Sequence, residues 1–370
     1  MQQAVFIGSN IYRGSSYGRR HPLSIPRVPT VIDLGRALGW LPPERYRQSP
    51  MAKPAALRLF HTQDYVTALQ AAEAAQEVSD DVRARHGLGT LSNPVFPEMY
   101  RRPATAVGGG LLAAELVRDG GVVHNPGGGT HHGFADRAAG FCYLNEPVLT
   151  IRQLLQMGLR RVAYVDIDAH HGDGVEAAFD GSQEVRVISV HEARRWPFTG
   201  LLTDRGGDAA FNLPVAAGFN DTEFALVLDR VILPAVETFR PDAVFLQCGA
   251  DALTEDPLSR LALSNRAHVA AVRALRPLSP RLIVSGGGGY NPWSVARCWT
   301  SVWAELSGAE VPDRLPPEAR AILAALSWTR KARPGPELVA TLRDTPREGP
   351  IRDTLRADVD TLRARLMAEV

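Results

Sequence analysis

The segment Val165-Asp166-Ile167-Asp168-Ala169-His170-His171-Gly172-Asp173-Gly174 ends an apolar run in alternating acids and a histidine. In extended chain every second side chain shares a face, so Asp166, Asp168 and His170 project together as oxygen and nitrogen donors suited to a metal ion. Four further segments carry reactive residues beside glycines: Asn125 to His132, Gly140 to Asn145, Gln247 to Asp251, and Ser285 to Tyr290. Glycine lets the backbone turn tightly and approach a ligand closely. Taken singly, these pieces have ordinary uses: an Asp after a strand caps a helix, and a glycine run makes a turn. Neither Gly127-Gly129 nor Gly286-Gly289 continues into the Gly-Lys-Ser/Thr of a nucleotide loop. The combination of all five in one chain is what indicates a catalytic centre.

Something must hold these segments at one place. Ala4-Gly8, Gly121-Asn125, Arg161-Asp168, Val185-Val190, Asp242-Cys248 and Arg281-Ser285 read as buried strands. Helical periodicity covers Ala104-Arg118, Glu146-Met157, Thr222-Phe239, Asn265-Leu275 and Pro292-Leu306, with a further helix starting at Gly172. This alternation implies an α/β fold with a mostly parallel sheet covered on both faces. Ligands in such sheets gather at the carboxyl ends of strands, where the acid and histidine cluster falls. His86 to Pro103 reads as a long functional loop, and the proline- and arginine-rich stretch from Val311 to Pro350 as a surface wrap. Beyond it Ile351, Leu355, Val359, Leu362 and Leu366 form a helical stripe, too short for sustained heptads and expected to dock on its own domain. Residues 1–310 are thus expected to form a catalytic domain, and 311–370 a wrap and terminal helix packed on it. No internal repeat is present.

Composition sets outer limits. The chain has 370 residues, 45% hydrophobic and 22% charged, with a formal net charge of +1. That balance supports a large core and gives no electrostatic footprint for nucleic acid or an anionic membrane. Cys142, Cys248 and Cys298 are too few and too scattered for a disulfide framework or a four-cysteine zinc module. With no secretory signal pattern and no apolar run of about 20 residues, a reducing, cytoplasmic setting is expected.

From Tyr12 to Leu306 these motifs, together with His21-Pro22-Leu23-Ser24-Ile25-Pro26-Arg27, resemble the zinc-dependent histone deacetylase family, of the compact bacterial and acetoin-utilisation type. The resemblance implies the arginase–deacetylase fold, a single α/β domain around an eight-stranded parallel sheet. It implies that Asp168, His170 and Asp251 hold a catalytic Zn2+ or another divalent transition metal. Two carboxylates and an imidazole leave a coordination position open, as catalysis requires. His131 and His132 match the paired catalytic histidines, with Asp166 and Asp173 as their acidic partners, and Tyr290 matches the tyrosine that hydrogen-bonds the substrate carbonyl. A structural K+ is implied near Asp166, Asp168, His170 and Ser189, where oxygen donors suit a hard ion.

The implied reaction is hydrolysis of an acylated amine, with His132 as general base, His131 as electrostatic support and Tyr290 stabilising the oxyanion. Phe141 and Trp196 match the aromatic walls that sandwich a lysine chain, Gly140 lies beside them and Leu258 just outside. Arg194-Arg195-Trp196-Pro197-Phe198 departs from the family's usual pair of phenylalanines. Arg27 matches the arginine of the internal cavity that releases acetate, and a buried ion pair is its other reading. Asn93 falls where many relatives place a rim aspartate that grips the substrate backbone, so tight sequence-selective peptide binding is not expected. The expected substrate is an acylated lysine side chain or another small acylamine, an acetylpolyamine being the alternative. Two rivals are a binuclear manganese ureohydrolase, whose further metal-binding acid is replaced here by His171-Gly172, and a non-catalytic acyl-lysine binder.

Overall fold

The computed structural model describes residues 3–330 and 334–368. Positions 1–2, 331–333 and 369–370, which include part of the expected wrap, lie outside the described residues. Eight strands form one parallel sheet: β1 (Val5–Gly8), β2 (Tyr46–Gln48), β3 (Gly121–Asn125), β4 (Val162–Asp166), β5 (Val185–Glu192), β6 (Ala210–Val215), β7 (Ala243–Gln247) and β8 (Arg281–Ser285). Their order across the sheet is β2-β1-β3-β8-β7-β4-β5-β6. Strands β4 and β7 are buried along their whole length, because helices cover both faces of a parallel sheet. On one face Val165, Leu246 and Val284 pack with Trp299 and Trp303 of the helix Pro292–Ser307. On the other, Tyr164, Phe245 and Ile283 pack with Ile151 and Leu154 of the helix Glu146–Gln156.

The sheet order explains how four of these distant segments meet. Neighbouring strands β3, β8, β7 and β4 are followed directly by Gly127–His132, Gly286–Tyr290, Gly249–Asp251 and Asp168–His171. Register aligns their ends, with Asn125 opposite Ser285, Ser285 opposite Gln247, Gln247 opposite Asp166 and Asp166 opposite Ser189. One rung across five strands therefore sets the floor of the site. Local chemistry turns the chain away from it: Asn145 and Asn291 each accept backbone N–H groups at the start of a helix that has proline in its first turn.

The sequence pattern alone misses β2 and β6, the two edge strands, while the family resemblance supplies the full count of eight. The expected helix over Thr222–Phe239 is interrupted by a π-helical turn at Leu228–Ile232, just before Pro234, whose missing N–H breaks the regular ladder. The loop expected to reach Pro103 ends earlier, since the helix Arg101–Leu116 already includes Pro103 in its first turn. The stretch after Val311 is more than a wrap. It contains the short helices Pro317–Ala324 and Pro336–Ala340, whose Leu323, with Leu315 and Leu342, packs on Leu34 and Trp293. The last helix, Asp353–Ala368, buries Leu355, Val359, Leu362 and Leu366 in the main core, as the stripe predicts. Among the described residues no helix is long and apolar enough to cross a membrane.

Candidate active site

Asp168, His170 and Asp251 are all buried and bring one ligand atom each within 4.8 Å of the others. His170 Nδ1 lies 2.8 Å from Asp251 Oδ2 and 3.4 Å from Asp168 Oδ1. Two carboxylates this close in a dry pocket repel each other unless positive charge joins them. Burial followed by the charge of Asp168 pushes the Asp251 carboxyl up to about 6. At His170 burial opposes the charged ring, but hydrogen bonds to Asp168 and Asp251 prevail and raise it to about 10. The cluster thus draws a proton into a place that a divalent cation would fill, and its N and O donors fit such an ion. Glycine makes the close approach possible, for a Cβ on Gly288 would stand 2.0 Å from Asp251 Oδ2. The Gly288 N–H instead donates to Asp168 Oδ2 at 2.7 Å.

The tandem histidines stand beside this cluster, ring centroids 4.0 Å apart. Each donates from Nδ1 to a carboxylate at 2.8 Å, His131 to Asp166 and His132 to Asp173. Their Nε2 atoms are thereby left as the outward nitrogens. Burial works against charge on both rings. At His131 it is overcome by the carboxylates of Asp166 and Asp168, which raise the ring to about 9. At His132 burial is joined by the charge of His131, and the ring falls to about 4. Tyr290 is buried, and burial together with the charges of Asp251 and Asp168 drives its hydroxyl well above the usual range. It stays an O–H donor.

His131, His132, Gly140, Phe141, Asp168, Tyr290 and Arg27 line one cavity of ≈ 50 Å3, space for a few water molecules. The aromatic walls converge on it, with the Phe141 ring 5.8 Å from Tyr290 and the Trp196 ring 4.6 Å from His132. Gly140, at φ 51°, has to be glycine, because a Cβ would lie 2.3 Å from the Trp196 ring. Leu258 packs against the cluster that contains Tyr290 and Phe141. Arg27 donates to the Gly287 carbonyl at 2.6 Å and lies 5.2 Å from the Trp299 ring centre. Among the described residues it has no carboxylate partner, so the buried ion pair is not formed.

Asn93 is a correction. It is 1% exposed, folded inside its loop, and its Nδ2 has no partner among the described residues, so it presents nothing at the rim. Asp166 and Ser189 face each other across β4 and β5, yet both are already engaged. Asp166 accepts from His131, from the Tyr164 hydroxyl at 2.7 Å and from the Asp168 N–H, while the Ser189 hydroxyl bonds His191 at 2.9 Å.

Two buried acids are absent from the sequence reading of the site. Glu146 accepts from Gly129 N–H at 2.8 Å and from the Ser285 hydroxyl at 3.0 Å, tying the histidine loop to β8, and burial pushes its carboxyl up to about 7. Asp256 accepts backbone N–H groups from Leu258 at Oδ1 (2.9 Å) and from Tyr290 at Oδ2 (2.6 Å). Its one sequence signal is the Asp-Pro turn at Asp256-Pro257.

The family model described as a histone deacetylase domain matches residues 21–306. The chain belongs to the histone deacetylase family. Among its relatives, the acetoin utilization protein AcuC of Bacillus subtilis is 34% identical over 332 residues, covering 86% of each chain. A putative histone deacetylase 2 of Caenorhabditis elegans is 35% identical over 309 residues, 81% of this chain and 61% of the relative. A crystal structure of a histone deacetylase homolog complexed with SAHA superposes with a TM-score of 0.93 at 35% identity, over 98% of this chain and 100% of the other. The homolog from Aquifex aeolicus gives 0.92 at the same identity. Membership makes this a chain of the deacetylase-type hydrolase family, and its fold is theirs.

Proposed function

We propose that this family member removes acetyl or related acyl groups from lysine side chains. The observation that carries the reading is one small cavity lined by a neutral histidine, a cationic histidine, a protonated tyrosine, Phe141 and Asp168, the last joined to His170 and Asp251 in an electron-rich donor triad. Asp168, His170 and Asp251 would hold the catalytic ion, Zn2+ or another divalent transition metal. When bound, such an ion supplies a Lewis acid at the amide carbonyl and lowers the pKa of water from about 15.7 toward roughly 7.

The remaining work falls to side chains. His132, held neutral at pH 7 and oriented by Asp173, takes the proton of the attacking water and returns it to the leaving amine. His131, charged and anchored on Asp166, stabilises negative charge as it develops. Tyr290 donates its hydroxyl to the carbonyl oxygen, where charge grows in the transition state. Phe141 and Trp196 sandwich the methylene chain and exclude water. Arg27 in the cavity wall favours departure of the acetate product. The K+ that the resemblance implies would be held by Asp166, Asp168, His170 and Ser189 with neighbouring backbone carbonyls, where oxygen donors suit a hard ion.

A mononuclear site is favoured over the manganese ureohydrolase type, because Asp168, His170 and Asp251 form one donor group that could hold a metal ion among the described residues. Leu258 favours lysine over acetylpolyamines, which carry a second ammonium that an acid at the mouth would attract. Turnover of an acetyl-lysine peptide beside acetylspermidine, before and after chelation, tests the reading. Peptide hydrolysis abolished by chelation, restored by zinc and absent in Asp251→Ala is expected. Full activity in metal-free protein, or a clear preference for acetylspermidine, would overturn it.

A further inference from the structure

Of the six large apolar side chains that stand well exposed among the described residues, four lie in two loops bordering the channel: Leu91 (97%) in one, and Trp196 (40%), Phe198 (70%) and Leu201 (58%) in the other. Beside both loops stand arginines without partners among the described residues. Arg19 and Arg20 line a hollow of ≈ 870 Å3 together with His21, whose ring is 4.5 Å from Phe141. Arg194 and Arg260 line a second hollow of ≈ 570 Å3. Arg194 lies two residues before Trp196 and Arg260 two residues after Leu258, so this hollow adjoins the opposite wall. Among the described residues none of these four guanidinium groups has a hydrogen bond or ion pair.

The second hollow is built rather than incidental. Buried Glu192 takes both Arg195 bonds, at 2.7 and 2.8 Å, and the Arg260 N–H at 2.8 Å, fastening the Trp196 and Leu258 loops together beneath it. Arg194 and Phe198 sit at φ 58° and 65°, a left-handed conformation uncommon for such side chains and concentrated where loops bind ligands. Acids facing the two hollows and not bound to arginine number two, Glu77 and Asp358. Four free guanidinium groups against two acids make the rim positive on a chain whose net charge is only +1.

We infer that the rim docks an extended polypeptide bearing Asp or Glu on both sides of the acyl-lysine, through Arg19 and Arg20 on one flank and Arg194 and Arg260 on the other. The inference rests on the deacylase reading for the lysine itself. An extended chain advances about 3.3 Å per residue, so acids within a few positions of the lysine reach either hollow. Exposed apolar side chains beside each arginine set give the flanks of a polypeptide something to cover, which a free polyamine would not use.

Three acetyl-lysine peptides that differ only in flanking residues, acidic, neutral or basic, test this in two ways: kcat/KM, and direct binding by fluorescence anisotropy. At low salt the acidic peptide should bind and react about three- to tenfold better than the basic one, with the gap closing at high ionic strength. The paired change Arg194→Glu and Arg260→Glu should reverse the ranking. Equal constants for the three peptides, or a ranking indifferent to these charges, would overturn the inference. So would self-association of the chain that abolishes peptide binding. If the unaltered protein turns over none of them, the deacylase reading fails, and the anisotropy ranking still decides the rim.

Discussion

Histidines in two regions of this molecule are equally buried and titrate in opposite directions. Where no carboxylate stands against the ring, His61 and His124 are driven down to about 4 and His191 to about 3, chiefly by burial. At the carboxyl ends of β3 and β4, His131 and His170 overcome the same burial, because carboxylates stand against their rings, and rise to about 9 and about 10. His132 follows the core pattern although it lies within the site. Burial alone makes a histidine neutral, and burial with paired carboxylates makes it a cation. Setting one of each side by side yields a base and an electrostatic support from the same residue type.

The sharpest break of that comparison is to remove one ring at a time. His132→Ala should lower kcat on an acetyl-lysine peptide by on the order of 10² to 10⁴, the usual range for losing a general acid–base, and His131→Ala by less. Equal residual rates from single-turnover measurements would dissolve the distinction between the two rings. Next in size is Tyr290→Phe, expected to cost on the order of 10² to 10³ in kcat, with KM little changed, because its hydroxyl acts on charge present only in the transition state. A fall in binding with kcat intact would move the oxyanion role elsewhere.

Asp256→Asn asks whether buried acids outside the triad serve the site. Asn has one acceptor oxygen, so either Leu258 or Tyr290 loses its backbone partner. A drop in kcat of about tenfold is expected, shrinking when Tyr290→Phe is already present. An undiminished effect in the double variant would show that Asp256 does not act through Tyr290.

The smallest effect lies in the core. A histidine whose folded pKa is depressed contributes stability above its unfolded value of about 6.5, lost as pH falls through the folded value of about 4. Between pH 7 and pH 5 His124 should therefore cost the native state about 2 kcal/mol that a His124→Phe variant does not lose. Parallel stability curves for the two proteins, from urea unfolding at each pH, would contradict this account of burial.

Local sequence is enough to locate the interior strands and the segments that carry chemistry. β3, β4, β7 and β8 are five residues each with an apolar stretch at their centre, and they are legible because most of their positions are buried. β2 is three largely exposed residues and β6 contains Pro214. An edge strand pairs on one side only and so tolerates both features, which erases its signal. His131, His132, Asp168, His170, Asp251 and Tyr290 stand out through spacing and family resemblance, since each follows a strand directly. Glu146 and Asp256 do not stand out, because an acid at a helix start or in a turn reads as solvated until the fold buries it. The direction of each histidine's shift, the enclosure of Asn93 and the gathering of four free arginines around one mouth were likewise decided by tertiary structure. Charge and burial belong to neighbours in space, and sequence order does not record them.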